Sequence, residues 1–289
     1  MIGTLRAEDH LGGGMSTGPT HAISGLAAWA GVTALASGHA IGQLTPQAWV
    51  VGAALSSGAA LLPDIDHPSS TVARTFGPFS QAVSGVVNTV SGWTYRATKT
   101  RRDPKRDGGH RGLTHTVLFA LVAGLVTTAI VQAGNRYALP VLMFVFCGLA
   151  VRGLMNEWSP KRDALAITVT SGVLTLACLR WVVEAPENAA AAGIAVIIGC
   201  VAHYLGDAIT EQGCPMLWPI PIRGKTWFPV APPKPMRMRT GGAVELSLVL
   251  PGLTLLALFL SAAALQRTGA APWLGLDLLG WLPGAEASS

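Results

Sequence analysis

Residues 190–210 read AAAGIAVIIGCVAHYLGDAIT: an apolar run long enough to cross a bilayer, ending in His203 and Asp207. A crossing helix needs ~20 apolar residues. Four residues apart, the imidazole and the carboxylate share one helix face and can chelate one ion. A structural His–Asp pair is the alternative, but ionisable groups beside lipid are costly and mark functional positions. Thr210 is placed to hydrogen-bond behind the pair.

The rest of the chain repeats the pattern. Of its 289 residues 50% are hydrophobic and only 12% charged, with a mean hydropathy of +0.45. A soluble domain carries about 25% charged residues. Apolar stretches at 21–38, 47–62, 113–133, 137–155, 164–183, 189–206 and 244–265 give about seven spans. The expected fold is therefore an all-α polytopic transmembrane bundle. Gly, Ala, Ser and Thr are frequent in these stretches and permit close helix approach in lipid.

Alternation along the chain brings the start of the first span and the ends near Asp64, His115 and Asp207 to one side. That side collects 17 of the 20 lysines and arginines, all but Arg136, Arg180 and Arg267. Basic loops stay in the cytoplasm, so this side is expected to be cytoplasmic. The net charge of +5 is then a matter of topology and anionic headgroups. No nucleic-acid partner is expected, because the basic run lacks interleaved aromatics and any known module.

One domain at 21–265 is expected, after a disordered extension at 1–20 and before an interfacial tail at 266–289. Met15 is a second candidate start. The segment 68–112 is a cytoplasmic insertion whose half from Phe76 to Trp93 suits an interfacial helix and whose basic half, 96–111, suits solvent. Prolines exclude a regular helix from 211–243, which reads as a lid or as a loop resting on headgroups through Trp218 and Trp227. Cys147, Cys178, Cys200 and Cys214 include no CxxC pair and read as small buried hydrophobes.

Ligand-type residues gather at the cytoplasmic helix ends. LLPDIDHP places Asp64, Asp66 and His67 at the exit of the second span, between Pro63 and Pro68. Two carboxylates and an imidazole this close favour a neutralising cation, and Asp-x-Asp can hold or bridge ions. GHRGLTHT places His110, Arg111 and His115 at the opening of the third span, with Thr114 as a candidate N-cap. Arg111 suits an anionic oxygen such as a phosphate. His21 opens the first span. His10 and His39 have no polar company.

At these residues the chain resembles the YdjM family of bacterial inner-membrane proteins, described as membrane-bound, metal-dependent hydrolases. The resemblance rests on Thr20-His21, Leu62-Pro63-Asp64-Ile65-Asp66, His110 to His115, His203 with Asp207 and Thr210, and Arg239-Thr240-Gly241-Gly242 with Glu245. It implies a multi-pass inner-membrane protein with a divalent metal site. A weaker likeness points to zinc-dependent phospholipase C and P1-type nucleases.

The expected metal ligands are His21, Asp64, Asp66, His67, His115, His203 and Asp207. They are expected to hold two divalent ions, zinc first, with manganese or magnesium as alternatives. Arg111 is expected to steady developing charge, and His110 or Glu245 to carry protons. The expected partners are membrane lipids and a phosphoester or lipid-linked substrate. A metal-ion or proton-coupled transporter and a scaffold with a structural metal are the rivals, and the absence of HExxH argues against an intramembrane metalloprotease.

Overall fold

The computed structural model describes residues 17–35, 44–68, 70, 72–134, 137–155, 164–182 and 189–269. The extension before Thr17, the tail beyond Gly269 and His10 and His39 lie outside the described residues. Seven α-helices fall on the seven apolar stretches: α1 (Gly18–Leu35), α2 (Pro46–Ala59), α4 (Val117–Ala133), α5 (Ala138–Met155), α6 (Ala164–Val182), α7 (Ala189–Ala208) and α8 (Leu250–Arg267). An eighth, α3 (Pro78–Thr98), forms where the interfacial helix was expected. Among the described residues four helical segments are long and apolar enough to cross a membrane: Pro46–Asp66, Ala138–Met155, Ala189–Ala208 and Glu245–Arg267. The first includes the turn after α2, and the last a π-helical segment, Glu245–Val249, before α8.

The bundle is built around α2 and α7. α7 packs on α1, α2 and α4, while α2 also packs on α1 and α5, and α8 lies along α1. In lipid this association comes from close packing rather than from water exclusion, and two glycines show how close it is. A Cβ on Gly199 would lie 2.2 Å from the Ser56 carbonyl oxygen, and one on Gly58 2.1 Å from that of Phe146. Only glycine lets α7 and α5 approach α2 this closely. Large apolar side chains such as Leu125, Leu176, Leu255 and Leu258 face outward, as lipid-facing surfaces require.

Helix ends here are set by local chemistry. Thr116, rather than Thr114, caps α4: its hydroxyl oxygen accepts from the Phe119 amide at 3.1 Å. Pro63 follows the end of α2 and the chain tightens into a 3-10 turn, Leu62–Asp66. α3 turns Phe79 and Trp93 outward and a face of small residues, Ser80, Ser84, Ser91 and Gly92, inward. Ser91 holds the neighbouring loop: its hydroxyl lies 2.9 Å from the carbonyls of Gly108 and Gly109, and accepts from the Leu113 amide. The Asn88 amide donates to the Asp66 carbonyl at 2.7 Å. α3 therefore braces both turns that carry ligand-type residues.

The chain from 211 to 242 carries no α-helix, as its prolines require. It is tied down by backbone pairs between Cys214 and Val230, by the Val117 amide donating to Met216, and by the Met238 amide donating to Ile209. Trp227 is buried and its ring lies 5.2 Å from Tyr95 and 5.0 Å from Trp218. The basic half of the first insertion is exposed at most positions, but Asp103 is buried and accepts the amides of Thr100 and Trp227 at 2.7 and 2.9 Å. The two insertions pack on each other. Cys147, Cys200 and Cys214 are buried free thiols, and the Cys178 side chain lies outside the described residues.

Candidate metal centre

Four helix ends meet at one end of the bundle, those of α1, α2, α4 and α7. His21 comes from the first turn of α1, Asp64 and Asp66 from the turn after α2, His115 from the turn before α4, and His203 and Asp207 from the last turns of α7. All six are buried, His115, His203, Asp66 and Asp207 completely. Five of them, all but Asp66, form with His110 three overlapping groups able to hold an ion: His21–Asp64–His203, Asp64–His110–His115 and His115–His203–Asp207. Each residue offers an atom within 4.8 Å of the others in its group.

Hydrogen bonds behind the rings decide which nitrogen faces the centre. His203 Nδ1 lies 2.8 Å from the Ala60 carbonyl, an acceptor only, so Nδ1 carries the proton and Nε2 presents a lone pair. The Thr114 hydroxyl donates to Asp66 Oδ2, which leaves its oxygen to accept from His115 Nδ1 at 3.0 Å. His115 Nε2 is thereby bare as well. The two Nε2 atoms stand 3.3 Å apart, and each is 3.5–3.6 Å from Asp64 Oδ1 and Asp207 Oδ2. Lone pairs of two imidazoles and two carboxylates converge on one point.

With both rings neutral, the arrangement is repulsive unless a cation sits among these atoms. Asp64, Asp66 and Asp207 bring three buried carboxylates, and Arg111 one buried guanidinium. Asp64 Oδ1 and both ring nitrogens of His21 make no hydrogen bond, and the His21 ring stacks on His203 at 3.9 Å. Buried polar atoms rarely stay unsatisfied. Mixed nitrogen and carboxylate donors suit a divalent ion of the zinc or manganese type. The residues present fit a metal.

The structure sorts the expected residues into different places. His21, Asp64, His115, His203 and Asp207 converge as expected, and His110 joins them. Asp66 stands outside the three groups: Oδ2 backs His115 at 3.4 Å and Oδ1 accepts from His110 Nδ1 at 3.0 Å. It orients two imidazoles, the support that metal-binding histidines receive from a carboxylate behind them. His67 lies at the rim, its ring edge-on to His110 at 4.8 Å.

Arg111 does meet an anionic oxygen, but an internal one. Its guanidinium is 3.0 Å from Asp207 Oδ1 and donates to the Gly213 carbonyl at 2.9 Å. It also reaches Thr210 Oγ1 at 3.3 Å, and its backbone adopts φ 51°. Arg111 thus joins α7 to the 211–242 loop. Glu245 is buried in the π-helical segment, where it accepts from the Thr17 amide and hydroxyl and from the Gly241 amide. It staples the start of α1 to the approach to α8.

Thr210 supports the pair as its position suggests, its hydroxyl donating to the Asp207 carbonyl, but other supports carry no signal in the sequence. Thr114 had been expected as a helix cap and instead links Asp66 to His115. Tyr204 donates its hydroxyl to the Thr114 carbonyl; one position after His203, it carries no motif of its own. The Ala60 carbonyl fixes His203 and, as backbone, leaves no trace in residue identity.

Fold and site together define an all-helical membrane protein with a buried His/Asp centre fit for metal. A model of the YdjM inner membrane protein family matches residues 15–270, and the chain belongs to that family. No curated protein and no solved structure matches the chain.

Proposed function

We propose that the protein is a membrane-bound, metal-dependent hydrolase, its site open to the cytoplasm, that cleaves a phosphoester or lipid-linked substrate with water. The observation that carries this reading is the convergence of bare Nε2 atoms of His115 and His203 with Asp64 and Asp207. One or two divalent ions held by these residues with His21 would polarise the ester and bring a water's pKa toward neutrality.

The protein's own residues supply the rest. Asp66 and the Ala60 carbonyl hold the two rings in the tautomer that binds cations. His110 is the most exposed member of the centre, its side chain 26% accessible, and its Nδ1 already rests on Asp66. Both observations support a role in passing a proton between the site and solvent. Arg111 fixes Asp207 and the adjoining loop, and the 211–242 segment acts as a lid over the centre. Glu245, with both oxygens engaged by Thr17 and Gly241, is better suited to holding helix ends than to proton transfer. The weaker likeness to zinc phospholipases and P1-type nucleases rests on residue pattern alone.

A transporter would place its ligands near the membrane midplane, whereas these sit at helix ends on one side of the bundle. Elemental analysis of purified protein is the test. Wild type should carry a divalent metal, and the Asp64→Ala/His203→Ala double variant should lose it while still inserting into the membrane. Hydrolysis of a phosphoester by the metal-loaded wild type would support the reading; metal without hydrolysis of any phosphoester or lipid would favour a structural metal.

A further inference from the structure

A groove of about 1050 Å³ runs along the bundle between α1, α7 and α8 and begins at the metal centre. His21 lines one end and Leu35 the other. At the α-helical rise that separation is ~21 Å, longer than the ~15 Å depth of one leaflet's hydrocarbon. Along that length the walls are aliphatic, with Val32, Ile198, Val201, Leu253 and Leu256 among them. Among the described residues its polar side chains, Thr20, His21 and Ser24, lie at the end near the metal centre.

We propose that this groove holds the hydrocarbon chain of a lipid phosphoester, with the phosphoester drawn up to His21; the substrate role rests on the hydrolase reading above. His21 belongs to both spaces, with its ring in the metal cluster and its edge on the groove. The charge pattern matches an anionic amphiphile. Exposed Arg239 adjoins Met238, which lines the groove, and no charged residue lines it among the described residues. The volume stands just above the ~300–1,000 Å³ usual for ligand pockets. Ordinary annular lipid would have no reason to prefer this channel over outward-facing Leu174 or Leu258.

Full-length protein in detergent is photolysed with hexadecyl phosphate bearing a diazirine on its terminal carbon, and the adducts are mapped. Adducts should fall on α1 between residues 28 and 35 and on α8 around Leu253 and Leu256. Unlabelled hexadecyl phosphate should compete and ethyl phosphate should not. Ala28→Trp should cut groove labelling about tenfold, the scale of two methylenes denied burial. Gly31→Leu is the second variant, since a Cβ there meets only Leu260, at 3.5 Å; retained metal content verifies folding of either.

Adducts spread evenly over lipid-facing positions, or unchanged in both folded variants, overturn the groove assignment. Turnover is read separately. Cleavage of a short soluble phosphoester without groove labelling overturns the groove assignment alone. Groove labelling without hydrolysis of any phosphoester overturns the hydrolase reading and the substrate role with it.

Discussion

At the scale of single residues, what lies behind a side chain sets its role. Asp64 and Asp66 are two positions apart in one turn, yet Asp64 faces the cluster while Asp66 hydrogen-bonds His110 and sits behind His115. Asp66→Asn retains the shape but removes the charge behind Thr114 and His115. Metal affinity should fall 10–100-fold, the usual scale for a carboxylate behind a metal-bound histidine, while Asp64→Ala should strip the metal outright. Titration of the apo protein with zinc measures both. Equal losses would place Asp66 among the ligands, and no loss would remove it from the site. The two aspartates were legible in the sequence, but their division of labour depends on a hydroxyl and two rings from residues 110–115.

At the scale of elements, site geometry follows from how closely helices pack. Gly199 lies one turn before His203, at the crossing of α7 with α2. Gly199→Ala places a methyl 2.2 Å from the Ser56 carbonyl and must push α7 away. That also pulls His203 from the Ala60 carbonyl. Stability should fall by about 1–3 kcal/mol and metal affinity with it. Gly172→Ala on α6, where a Cβ meets nothing within 4 Å, should cost neither. Thermal unfolding with metal analysis distinguishes them.

The insertions form a second element-scale unit, joined at Asp103. Burial raises the proton affinity of its carboxyl, but hydrogen bonds from Thr100, Trp227 and Thr226 outweigh this and hold the pKa below its ordinary value of 3.8. The stabilisation is thus fully present above that ordinary value and is lost as pH falls through the depressed folded one. Acidification below pH ~4 should expose Trp227 and shift its emission to the red. At neutral pH, Asp103→Asn should speed tryptic cleavage after Lys225. An unchanged cleavage rate would show that Asp103 does not hold the loop. The prolines made the absence of helix in this loop legible, but not its packing on Tyr95, which joins residues more than a hundred positions apart.

At the scale of the whole molecule, the basic asymmetry predicts orientation. Reporter fusions after Arg106 and after Arg223 should report cytoplasm, and one at Gly134 the opposite side; a periplasmic report at Arg106 would overturn the assignment. The sequence by itself determined the seven apolar helices and the helix ends at which ligand-type residues gather, because span length and residue chemistry are local properties. Only the tertiary structure decided that His110 joins the cluster, that Asp66 orients rather than faces it, and that Arg111 is held by Asp207 and Gly213. Each of these depends on distances between separate helix ends. Several also depend on backbone carbonyls, such as those of Ala60 and Gly213, which every residue carries and which no residue type announces.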